Sequence, residues 1–304
     1  SPVTYMAKLF KFVRYGMKNP DTGEIDYDEM LETAKRERPK IVLAGFSGYP
    51  RELDWERIAN IAREVDAVAM ADVAHIAGLI AGGAAKNPFD YGFNIVTTTT
   101  HKTLRGPRGG MILSKGTVST PLRAPEKTIE NLPTLIDRSI FPGFQGGPHM
   151  HQIAAKAVAL HEAAQPSFST YAHQVVANAK AMAEVFTAGG VRLITGGTDN
   201  HLLLADVFGS LGISGGDAET LLDRAGMTLN KNSIANDTRT PFDPSGIRFG
   251  TPAMTTRGFK EEQSKEVAQL MLEVLDKRDD ATVETVGKRI KEMAAAFPIP
   301  ESFA

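Results

Sequence analysis

The chain has 304 residues, enough for one large domain or two ordinary ones. An apolar fraction of 42%, a charged fraction of 23% and a net charge of -2 are ordinary for a globular protein and indicate neither a broad basic field for nucleic acid nor an acidic tail. Cysteine is absent, which excludes a disulfide scaffold, a Cys-ligated zinc or iron–sulfur site and a cysteine nucleophile, and fits a reducing, cytoplasmic setting.

The chain opens on Ser1-Pro2-Val3-Thr4, with no Met and no secretion signal. This is a first hint that residues belong upstream. Residues 41–46 read as a buried strand, and residues 54–65 as a helix with Asp54 as N-cap and Ile58, Ile61, Ala62 and Val65 at helical spacing. Residues 67–72, 95–99 and 111–113 are the next strands. Strand, helix, strand predicts βαβ units and a largely parallel sheet. Residues 67–85 form the longest apolar stretch, but Asp72, His75 and the many Gly and Ala argue against a membrane span. Residues 141–148 are rich in Gly and Pro and read as a loop. A helical pattern over 150–164 follows, ended or kinked by Pro166. A second helix over 171–188 stops at Gly189-Gly190. The remainder reads as a smaller α+β unit: strands over 191–195 and 201–207, a helix over 217–225 starting near Ser214 or Asp217, and amphipathic helices over 261–277 and 281–297. The boundary is expected within or just after the first long helix, giving parts 1–160 and 161–304.

The most informative stretch is Val96-Thr-Thr-Thr-Thr-His-Lys102, running into Gly106-Pro-Arg-Gly-Gly110. A lysine ending a buried strand is costly if charged and unpaired. A Schiff base with an aldehyde cofactor is one solution, and an ordinary lysine reaching the surface is the other. Asp72 ends a second strand, in Asp72-Val-Ala-His75. Ligands of open α/β sheets gather at strand carboxyl ends, and pyridoxal phosphate needs a carboxylate to keep its ring nitrogen protonated. Taken alone, Asp72 also fits a loop cap, and His75 a core hydrogen bond.

Together these motifs closely resemble the serine hydroxymethyltransferase signature. Phe141-Pro-Gly-Phe-Gln-Gly-Gly-Pro148, Gly196-Gly-Thr-Asp-Asn-His201, Leu229-Asn-Lys-Asn232 and Ser245-Gly-Ile-Arg-Phe-Gly-Thr-Pro252 resemble further family motifs, so the likeness spans essentially the whole chain. It implies an aminotransferase-like (fold type I) large α/β domain of three layers and a smaller α+β C-terminal domain. It also implies pyridoxal 5'-phosphate as cofactor and tetrahydrofolate as co-substrate for the interconversion of L-serine and glycine. By resemblance, Lys102 bonds to the cofactor, Asp72 holds the ring nitrogen, and His75 lies near the ring hydroxyl and substrate carboxylate. Ala74 packs on the ring, Ser47 lies beside it, His101 governs reaction specificity, and Arg108 sits in the supporting turn. Arg248 grips the amino-acid carboxylate, as a planar guanidinium does well. Asn232, Thr240, Pro241 and Phe242 match folate contacts. Gly146 and Gly147 match a loop serving the neighbouring subunit's phosphate, which implies a homodimer with shared sites.

The family also has an N-terminal portion before the segment that Ser1-Pro2-Val3 resembles. It carries an arm to the partner, a phosphate-binding Ser-Gly turn, a ring-stacking histidine and an acid–base glutamate. None can be located here, so the chain as printed is expected to hold part of the site and to have little activity alone. The rivals are a threonine-type aldolase, an aminotransferase, or a non-catalytic fragment acting as an interaction subunit. A nucleotide-binding oxidoreductase is disfavoured, because no G-x-G-x-x-G follows a first strand.

Overall fold

The structure is a computed structural model that describes residues 5–19, 21–116 and 132–301. The opening residues Ser1–Thr4 read above lie outside the described set. The chain begins with a short helix α1 (Met6–Leu9) and a small hairpin, β1 (Met17–Asn19) and β2 (Glu24–Ile25). Helix α2 (Tyr27–Glu37) follows, capped by the Asp26 carboxylate on the Glu29 N–H. Next come β3 (Ile41–Gly45), α3 (Trp55–Glu64) and β4 (Val68–Asp72), the expected strand–helix–strand unit. Asp54 accepts from the Arg57 N–H, the N-cap its sequence position suggests. A short α4 (Ala77–Ala81), β5 (Ile95–Thr99) and β6 (Gly110–Ser114) complete this half.

The sheet order is β3-β4-β5-β6, with the first three strands parallel and β6 antiparallel to β5. The sheet is therefore mixed. The turn over residues 100–109 is too short for a crossover, which needs about a dozen residues or more, so β6 returns antiparallel. The fold class is α/β, as expected. Burial alternates along β3: Val42 and Ala44 enter the core with Ala69, Ala71 and Val96, whereas Ile41 and Leu43 stay exposed. The described residues thus cover one face of β3, where burial on both faces was expected. Trp55 of α3 anchors this core edge-on against Phe93, ring centroids 5.4 Å apart. Burying the Phe93 ring contributes about 1.5–3 kcal/mol.

After β6, α5 (Leu132–Arg138) leads through an exposed turn to α6 (Met150–Ala163) and α7 (Pro166–Ala188). Pro166 does not merely end one helix. It starts the next at its first position, where the missing N–H costs nothing. The packing changes over within α7: Phe168, Tyr171, Ala172 and Val175 join the first core, while Ala179, Met182, Ala183 and Phe186 join a second.

The second core is built from β7 (Arg192–Leu193), β8 (Leu202–Asp206), α8 (Val207–Leu211), α9 (Gly215–Arg224), β9 (Asn230–Asn232), β10 (Gly246–Gly250), α10 (Pro252–Thr256), α11 (Glu261–Lys277) and α12 (Asp280–Ala296). Its sheet is antiparallel, in the order β7-β8-β10-β9. Ser214 caps α9 through the Asp217 N–H. The strand expected over 191–195 is shorter, because Thr195 turns to a φ of +71° and breaks the extended run. No helix among the described residues is long and apolar enough to cross a membrane.

Candidate functional site

Three parallel strands end side by side. Gly45 pairs with Asp72 and Asp72 with Thr97, so the loops after β3, β4 and β5 open from one edge of the sheet. Gly45 is required there: its φ is +151°, and a Cβ would lie 2.3 Å from the Asp72 carbonyl oxygen. The Asp72 side chain is exposed and accepts the Ala74 N–H at 3.1 Å. This Asx-type turn orients the loop bearing Ala74 and His75.

The turn after β5 is laced to that loop. The Thr103 hydroxyl donates to the His75 carbonyl at 3.0 Å and accepts the Gly78 N–H at 2.9 Å. Gly78 allows the approach, since a Cβ on it would meet the Thr103 carbonyl oxygen at 2.1 Å. Within the turn, Thr100 donates to the Pro107 carbonyl at 2.6 Å, and the Gly106 N–H returns to the Thr100 carbonyl at 2.7 Å. The Gly109 N–H reaches His101 Nδ1 at 3.4 Å. Lys102 lies in this turn beyond the strand, with an exposed side chain. The burial cost expected of it does not arise, because β5 stops at Thr99. Arg108 is also exposed.

Arg248, on β10, reaches across from the second sheet. One guanidinium nitrogen donates to the Ser47 carbonyl in the loop after β3, and another to Asn230 Oδ1 at 3.4 Å. Burial lowers its pKa from the ordinary arginine value. Gly48 faces the same group: a methyl placed on it would sit 3.6 Å from Asn232 Nδ2 and 3.9 Å from Arg248 Cδ. Asn232 donates to the Ser233 carbonyl at 2.6 Å.

His75 sits among these groups. Its ring stacks on His201, centroids 5.9 Å apart and planes 19° apart. Burial, then the charges of Lys102 and Arg248, push the His75 pKa down to about 4. Burial pushes His201 down to about 3, helped by His75, Arg248 and Lys102. Both imidazoles are neutral at physiological pH. The site therefore combines a primary amine, a carboxylate, two neutral imidazoles and a guanidinium, a set suited to an anionic, carbonyl-bearing ligand with an amino-acid carboxylate.

Other expected site residues lie in exposed segments. Thr240, Pro241 and Phe242 stand exposed on the loop between β9 and β10, Phe242 at 87% exposure. That loop is braced by Asp237, which accepts from the Ile234, Arg239 and Ser245 N–H groups and the Ser245 hydroxyl. Gly146 and Gly147 lie in the exposed segment before α6, and a Cβ on either would have nothing within 4 Å. Among the described residues, no group of three or more His, Cys, Asp or Glu is placed to hold a metal ion.

Sequence reasoning assigned no role to three features: His201, the Thr103 lacing, and a clasp between residues 49–52 and 195–200. In the clasp, Arg51 meets Asp199 at 2.8 Å and the Thr195 carbonyl at 2.6 Å, and Asn200 donates to the Tyr49 carbonyl at 3.1 Å. The polar run Thr198-Asp-Asn200 was the available signal. When the chain is compared with known families, the serine hydroxymethyltransferase model matches residues 1–271.

Proposed function

The chain belongs to the serine hydroxymethyltransferase family, and from that premise we propose that it transfers the hydroxymethyl group reversibly between L-serine and tetrahydrofolate, giving glycine and 5,10-methylenetetrahydrofolate. The family depends on pyridoxal phosphate and interconverts serine and glycine by folate-dependent one-carbon transfer. The observation that carries the reading is the arrival of Arg248 from the second sheet at the Ser47 carbonyl, where Arg248 and Lys102 both act on neutral His75.

The donor set suits the cofactor. Lys102 offers an exposed amine on a flexible stem, and Asp72 an exposed carboxylate one strand away. When bound, pyridoxal phosphate supplies an electron sink for charge developing at the α-carbon of the amino acid. Lys102 would hold the cofactor covalently, Asp72 would keep its ring nitrogen protonated, and Ala74 and Ser47 would lie beside the ring. Arg248 clamps the substrate carboxylate in its planar fork. Neutral His75 hydrogen-bonds near the ring hydroxyl and that carboxylate. His101, next to Lys102 in the chain, governs reaction specificity. Asn232, Thr240, Pro241 and Phe242 receive the folate, and Asp237 keeps their loop in shape. Gly146 and Gly147 bring backbone N–H groups to the partner subunit's phosphate in a homodimer. We place the protein in the cytoplasm.

The test is the folate dependence of serine cleavage by the natively purified protein. Glycine formation that rises with tetrahydrofolate and saturates supports the reading. Cleavage of 3-hydroxy amino acids that ignores tetrahydrofolate would make the protein a threonine-type aldolase instead.

A further inference from the structure

His201 is a buried histidine of an unusual kind. It immediately precedes β8, 7% exposed. Among the described residues, its buried Nδ1 meets no hydrogen-bond partner. A core histidine usually earns its place through a hydrogen bond at the ring. Here the ring lies nearly parallel to that of His75, planes 19° apart and centroids 5.9 Å apart, in an offset arrangement.

The backbone around His201 is fixed on both sides. Its carbonyl accepts the Thr251 N–H at 3.1 Å, just beyond the strand that carries Arg248. The preceding residues belong to the clasp. The Asn200 side chain donates to the Tyr49 carbonyl and Thr198 to the Pro50 carbonyl at 3.2 Å. Asn200 Oδ1 also accepts the Leu202 N–H at 3.0 Å. The backbone that carries the ring is therefore fixed between β10 and the loop after β3, the two segments that Arg248 and Ser47 also join. His75 lies in the short, braced loop between Asp72 and α4, but its side chain is only partly buried.

We infer that His201 is a positioning residue for the reaction: stacked on His75, it fixes the plane of that ring and shields its covered face from water. The charged groups around His75 are Lys102 from the turn after β5 and Arg248 from β10, with Asp72 in its own loop. Two nearby cations already disfavour protonation of His75, and shielding by His201 adds to burial, the largest cause of its lowered pKa. His75 then faces the cofactor and substrate as a neutral donor and acceptor at one set angle.

This inference deepens the proposed function and rests on its assignment of His75. The experiment uses the cofactor-loaded protein with 13C-labelled histidine, and follows the His75 resonance against pH in wild type, His201→Ala and His201→Phe. A flat phenyl ring keeps the stack and the shielding, while Ala removes both. The expected result for His201→Ala is a His75 pKa at least about one unit higher and a kcat/KM for serine down about tenfold or more. His201→Phe should restore both. A folded His201→Ala protein with an unchanged His75 titration would overturn the inference, and so would a folded His201→Phe protein that fails to restore it. If instead the wild-type protein shows no visible cofactor band, the functional reading itself fails, separately from the titration.

Discussion

Replacing Arg248 with Ala removes a guanidinium that joins the second sheet to the loop after β3. Its worth follows from its setting. The group is partly buried, bonded to the Ser47 carbonyl and weakly to Asn230, and these neutral acceptors leave its charge free for an anionic ligand. Truncating one partner of a desolvated charge pair costs about 2–5 kcal/mol. Partial exposure of Arg248 favours the low end, so serine and glycine affinity should fall about 30- to 150-fold, for about 2–3 kcal/mol. Losing the bond to the Ser47 carbonyl should cost about 1 kcal/mol of stability, a small shift in Tm. The assay is titration of the cofactor's visible spectrum with serine and glycine, beside a melting curve. Arg248→Lys keeps the charge but loses the fork, and should recover part of the affinity. Unchanged affinity in Arg248→Ala, with the cofactor bound, would refute the carboxylate role.

Asp72→Asn should leave the fold intact but lower kcat by about 100-fold, or about 3 kcal/mol of barrier; near-normal turnover would exclude Asp72 as the ring-nitrogen partner. Gly78→Ala drives a methyl into the Thr103 backbone and should cost about 1–3 kcal/mol, read as a lower Tm together with weaker cofactor retention. With His75 held down at about 4 and His201 at about 3, the unfolded chain takes up protons first as pH falls below about 6.5, the ordinary histidine value. These two groups therefore leave stability unaffected above that pH and erode it as pH falls toward their folded values. Melting temperature should decline between pH 6.5 and 5, and the decline should flatten in a His75→Phe, His201→Phe double variant. Asp237→Ala should loosen the loop bearing Thr240–Phe242, raising KM for tetrahydrofolate more than KM for serine; an equal rise in both would show that the loop does not serve the folate.

Local signals were the most legible part of the fold. Asp54 and Ser214 act as N-caps where the sequence suggests, because a short acceptor side chain before an amphipathic run has one good use. Strand pairing was less legible. Nothing in Gly110-Met-Ile-Leu-Ser114 states its direction, and the length of the preceding turn decides it. Pro166 was ambiguous for a related reason, since the residue that breaks a helix interior also starts a helix well.

The site divides the same way. Lys102 and Asp72 are readable from the rule that ligands gather at strand ends. Arg248 is not, because its partner Ser47 lies 201 residues away, and family resemblance alone singled it out. His201 received no role because its near-parallel packing beside His75 is a tertiary relation that spacing does not encode.

The central claim is that Lys102 carries the cofactor. Borohydride reduction of the natively purified protein, followed by peptide mapping, tests it most directly. The expected result is a pyridoxyl label on the peptide containing Lys102, with the visible band lost on reduction. A label on any other lysine, or none at all, would contradict the account.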